Sequence, residues 1–206
     1  MDAALRAGIA LYNDGEHRAA HEPWEDVWLG LPDGTDDERF LHGLVQFTAT
    51  IHHARTRNWS GAAGLAVSAG DYLDGLDSPY RGVAIAPLRR ALTTLAADPE
   101  AAERRRPPPI RHEGHVLVPA DLDFEAVAPA ARALASEHGY DEETVDGAVS
   151  HACDEIADGD RTLFTGALFE FVAADDETHR DLVARRLGRH VARRDREFDD
   201  VAGLFD

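Results

Sequence analysis

The stretch FLHGLVQFTATIHHA, residues 40–54, contains no Asp, Glu, Lys or Arg in a chain that is 29% charged. Phe40, Leu44, Phe47 and Ile51 recur at helical spacing and form one apolar face. His42, Gln46, Thr50 and His53 form a stripe on nearly the opposite side. A helix face turned to solvent in so acidic a protein should carry carboxylates. The spacing therefore predicts a helix buried on both sides, with the His/Gln stripe directed at another element. Thr35 followed by Glu38 is a capping-box pattern that opens this helix.

Upstream, Leu5, Ile9 and Tyr12 predict a first helix over 3–13, ended by Asn13, Asp14 and Gly15. Pro23 is tolerated only in a first turn, so the second helix starts between Arg18 and Glu22 and closes over 30–34. Downstream, 58–61 reads as a break, 62–76 as a small-residue helix, and Pro87 as the first turn of a helix through Ala97. Residues 104–109, ending in three prolines, read as a connector, and 115–119 as a short extended stretch. Four further helices are expected over 124–138, 142–157, 162–173 and 177–204. The fold class is all-α, with an N-terminal helical bundle over 1–106, a Pro-rich connector over 107–122 and a C-terminal helical extension over 123–206.

The charge balance bounds the partners. Asp and Glu total 39 against 21 basic residues, all arginine, for a formal net charge of −18. Self-repulsion opposes the compact state in dilute buffer, and salt screens it. Acidic excess with arginine in place of lysine reads as adaptation to a salt-rich cytoplasm; a GC-rich genome encoding an ordinary acidic protein would leave the same imprint. Nucleic acid is not an expected partner, because the basic clusters 104–106 and 193–196 are short and set among acids. No apolar run approaches the roughly 20 residues that span a bilayer, and no signal peptide is visible, so the expected compartment is the cytoplasm. Cys153 is the single cysteine, which excludes an internal disulfide and a thiolate zinc knuckle; it reads as a small core residue. Trp24 and Trp59 read as core or interface anchors, and His112 and His115 as exposed loop residues.

The segment HEPWEDVW, residues 21–28, places His21, Glu25 and Trp28 along one helical face. An imidazole and a carboxylate one turn apart can share a divalent cation, or act as a base and its orienting partner. In a first turn the positive end of the helix favours the neutral imidazole that binds metal. The bare spacing is unspecific, since His138/Glu142 and His151/Glu155 repeat it. His138/Glu142 straddles Gly139 at a helix end, and His151/Glu155 reads as a solvated face or a helix-stabilising pair. His21/Glu25 stands apart because the charge-free helix follows it directly, as an antiparallel neighbour.

The succession His21–Glu25–Trp28, then LHGLVQ at 41–46, Ile51–His52–His53 and NWSGAA at 58–63 resembles the bacterial and archaeal family catalogued as domain of unknown function 309. The resemblance spans roughly 12–76 and is that of a salt-adapted, archaeal-type member. It implies an all-helical fold and a metal proposal falling on His21, Glu25 and Trp28, with Gln46 and His53 on the partner helix. His42 stands where relatives often carry glutamine. The helices after Pro119 resemble no family.

Two readings stand side by side. In one, His21, Glu25 and His53 are ligands of a divalent metal (Zn, Mn, Fe or Ni), Glu22, Trp28, His42 and Gln46 line the site, and any reaction is metal-assisted hydrolysis with Glu22 or Glu25 as base. In the other, the same residues form a buried hydrogen-bond network that fixes helix register in a non-catalytic binding or assembly module, self-associating or meeting a protein partner.

Overall fold

A computed structural model describes residues 1–157, 159 and 163–202. The expectations for Thr162 and for 203–204 lie outside the described residues. The chain divides into two compact units, Met1–Leu122 and Asp123–Asp206. Both are helical, with one two-stranded hairpin among the described residues, so the fold is all-α. No described helix is long and apolar enough to cross a membrane.

The first unit opens with α1 (Asp2–Asp14), which Gly15 ends at φ 101, where a side chain would be strained. The second helix, α2 (His21–Trp28), has Pro23 in its first turn. The charge-free stretch lies within α3 (Asp36–Arg55), whose N-cap Thr35 accepts from the Glu38 amide at 3.3 Å. Ten of the fifteen residues 40–54 are buried, so this helix is covered on most of its circumference. α4 (Trp59–Leu73) begins earlier than expected. Asn58 caps it by accepting from the Gly61 amide, so what reads as a break over 58–61 is its cap and first turn. α3 and α4 cross closely at Gly43, where a Cβ would come within 2.6 Å of Leu73 Cδ2.

Then come α5 (Ile85–Ala97), the single turn α6 (Ala101–Arg104), and the hairpin β1 (Arg111–His112) and β2 (His115–Val116). Residues 107–122 are fastened to α1 by one side chain. Asn13 Nδ2 donates to the carbonyls of Ile110 (2.9 Å) and Leu117 (2.8 Å), and its Oδ1 accepts from the Ile110 amide (2.9 Å). Tyr12 adds a hydroxyl bond to the Pro108 carbonyl at 3.0 Å. Asn13→Ala leaves three backbone groups without partners, and the expected loss is about 2 kcal/mol. Urea titration by circular dichroism measures it; a loss below about 0.5 kcal/mol would contradict this account. His112 is a correction to the loop reading. It is buried, because β1 bridges to Val83 and the neighbouring Glu113 amide donates to Gly82 O at 2.7 Å.

The second unit comprises α7 (Phe124–His138), α8 (Glu142–Ala157), α9 (Leu163–Val172) and α10 (Glu177–Ala202). α9, the most apolar helix, packs against the other three through Phe164, Ala167, Leu168 and Phe171. The buried Arg180 guanidinium donates to the Phe171 and Ala174 carbonyls at the end of α9, both at 3.4 Å. Cys153 is exposed, not core, since the buried face of α8 is Val145, Ala148, Val149 and Ala152. His151 and Glu155 each meet α10: His151 Nε2 lies 2.9 Å from Asp195, and Glu155 lies 3.9 Å from Arg194.

Candidate functional site

Helices α2 and α3 carry the residues singled out by sequence, but in two groups. Near the C-terminal end of α2, Trp28 Nε1 donates to Glu38 Oε1 at 2.9 Å. The same oxygen lies 3.3 Å from His42 Nδ1, and His42 Nε2 lies 3.0 Å from Gln46 Nε2. The His42 ring stands between two aromatic neighbours, Trp28 at 4.2 Å and Tyr72 of α4 at 3.9 Å between centroids. Burial disfavours the charge on Glu38, yet the bonds from Trp28, His42 and the Gly34 amide outweigh it and hold the carboxyl below its usual range. Because that carboxylate accepts, His42 Nδ1 carries the proton and Nε2 accepts from the Gln46 amide. Gln46 Oε1 is then left buried and without a partner among the described residues.

This chain runs along the stripe expected on α3, but its first member was not foreseen. Glu38 reads in the sequence as a capping-box residue, and its amide does meet Thr35. Its side chain turns instead to Trp28 and His42. The signal was the spacing Glu38–His42–Gln46, two steps of four on one face, together with an indole that needs an acceptor. Trp28, His42, Glu38 and Tyr72 also line an open cleft of about 430 Å³.

At the other end of α2, His21 Nε2 is buried with no hydrogen-bond partner among the described residues. Burial is the main cause that pushes the His21 pKa down to about 4, and the charges of His52, Arg18 and His17 push the same way. The imidazole is therefore neutral at pH 7. His17 is also depressed, mainly by burial, against a raising bond to the Gly15 carbonyl. The histidine that influences His21 from α3 is His52. His53 Nδ1 is engaged by Asn58 Nδ2 at 2.7 Å, at the start of α4. Glu22 and Glu25 are half-buried, and Glu25 makes no hydrogen bond or ion pair with His21 among the described residues.

These positions bear on the donor set. His21 offers a neutral, unsatisfied nitrogen, which suits one coordination position. Among the described residues no group of three or more His, Cys, Asp or Glu is gathered to hold a metal ion. The side chains that the sequence suggested as co-ligands, Glu25 and His53, are not gathered with His21 into such a group.

The fold and site define an all-helical class with a buried polar seam between its second and third helices. Residues 5–65, which cover most of α1, all of α2 and α3 and the start of α4, match the family model described as Domain of unknown function (DUF309). The match supports that family for this segment, which holds Trp28, Glu38, His42, Gln46 and His21 alike. No curated protein matches the chain.

Proposed function

We propose that the N-terminal unit is a binding module whose ligand-contacting group is His21 at the start of α2. The observation that supports this reading is the buried, unpartnered Nε2 of a neutral imidazole, since buried polar atoms are ordinarily satisfied. A divalent cation (Zn, Mn, Fe or Ni) suits that nitrogen, with Glu25 one turn on as the second donor and water completing the shell. Such a cation supplies Lewis acidity for hydrolysis when bound, and Glu22 is near enough in sequence to serve as base. For Trp28, Glu38, His42 and Gln46 the structural role is favoured by a specific observation: each makes a hydrogen bond to the next, so these side chains hold α2 on α3.

The test is calorimetric titration of tag-free, chelator-treated protein with each cation, alongside elemental analysis of protein purified without chelator. One cation should bind at one equivalent, and His21→Ala and Glu25→Ala should each weaken it at least tenfold. His53→Ala should leave it within twofold. A protein indifferent to all four cations, or equal binding by His21→Ala, contradicts the proposal.

A further inference from the structure

The first unit also contains a cleft of about 300 Å³ between α3, α5 and the segment after α6, which none of the site residues above lines. Its apolar floor includes Ile51, Leu95 and Ala101, all nearly inaccessible to solvent. Its rim carries Arg90, Arg105 and Arg106, and no Asp or Glu lines it. In a chain with 39 acids and 21 arginines, three arginines around an acid-free cleft call for a cause.

The neighbouring arginines show what the alternative looks like. Arg104 pairs with Asp98, and Arg57 pairs with Glu103 at 2.8 Å. Arg90, Arg105 and Arg106 make no side-chain hydrogen bond or ion pair with another described residue. Guanidinium groups match carboxylate and phosphate oxygens in a two-pronged geometry. Two of the carboxylates nearest in sequence, Asp98 and Glu103, are already engaged by Arg104 and Arg57, and more distant ones are screened by salt. An apolar floor beneath them selects for more than an inorganic ion.

We propose that this cleft binds a small amphipathic anion, with a phosphate or carboxylate head on Arg90, Arg105 and Arg106 and an apolar body on Ile51, Leu95 and Ala101. The site is independent of the His21 reading. The volume lies at the small end of ligand pockets, which suits a short chain or single ring and not a cofactor.

The experiment titrates the full chain calorimetrically with octyl phosphate below its micelle concentration, then with octanoate, inorganic phosphate and octylammonium. Octyl phosphate should bind at one equivalent, inorganic phosphate at least tenfold more weakly, and octylammonium not measurably. The triple variant Arg90→Gln/Arg105→Gln/Arg106→Gln should lose at least tenfold in affinity while keeping its melting temperature, since all three side chains are exposed. Arg105→Gln alone should lose threefold or more, and Arg104→Gln should bind like the parent. No binding of octyl phosphate or octanoate, or a triple variant within twofold of the parent, overturns the proposal. Co-sedimentation with vesicles of phosphatidylglycerol and phosphatidylcholine without binding of the free monomer also overturns it, in favour of a lipid surface.

Discussion

Replacing Trp24 with alanine is expected to destabilise the N-terminal unit by about 3–5 kcal/mol, the largest single-residue loss in this protein. Trp24 is 0% exposed and sits between α1 and α2. Its indole Nε1 donates to the Leu5 carbonyl at 3.3 Å, and its ring fills the space left by Gly8. A Cβ on Gly8 would lie 2.3 Å from the indole and 2.8 Å from the Ala20 carbonyl, so the ring and the glycine are one packing device. Gly8→Ala should cost about 1–3 kcal/mol through overpacking. In the Trp24→Ala background it should cost less, because the clashing ring is gone. Since domains are stable by only about 5–15 kcal/mol, this single loss takes a large share of the stability of the unit. Urea unfolding followed by far-UV circular dichroism checks both variants; a Trp24→Ala loss under 1 kcal/mol would show that the α1–α2 interface is not held this way.

The second large effect is a loss of stability in mild acid that depends on His21. Its imidazole titrates near its ordinary 6.5 when the chain is unfolded and at about 4 when folded. Between those values the unfolded state holds a proton that the folded state lacks, so stability falls as pH drops from about 6.5 towards 4 and levels off below. The full shift corresponds to at most about 3 kcal/mol. His17, lowered for the same main reason, adds to the loss. Glu38 acts at lower pH. Its folded pKa is depressed, so the stability it contributes is present above its unfolded value and disappears as pH falls through the folded one. Titration of the acidic surface opposes these trends by relieving repulsion, so the comparison belongs in molar salt. His21→Leu should flatten the stability profile between pH 6.5 and 5 while Glu38→Gln should not. Equal stability of the parent protein at pH 7 and pH 5, or an unchanged slope in His21→Leu, would refute the assignment.

Local patterns in the sequence carry far. Charge-free residues 40–54 become the most enclosed part of α3, Gly15 and Gly139 end helices in the left-handed region, and Pro23 occupies a first turn. These features depend on neighbours three or four residues away, so a linear reading captures them. The readings that failed depend on rotation and distant partners. Cys153 looks like core by residue type, yet the rotation of α8 turns it to solvent. His112 looks like loop, yet a bridge to Val83 buries it.

The candidate site divides in the same way. That α2 and α3 would meet along a neutral polar seam was legible, because an uncharged stripe in a chain of net charge −18 must be covered. Which atoms meet was not. Antiparallel packing sets Trp28 against Glu38 and places His52 where it acts on His21, while the start of α4 claims His53 through Asn58. The sequence by itself determined the helices and the faces they had to bury, since both follow from short-range periodicity. Tertiary structure alone decided which polar groups found partners and that His21 Nε2 did not, because hydrogen bonding depends on ångström-scale placement across elements that periodicity does not encode.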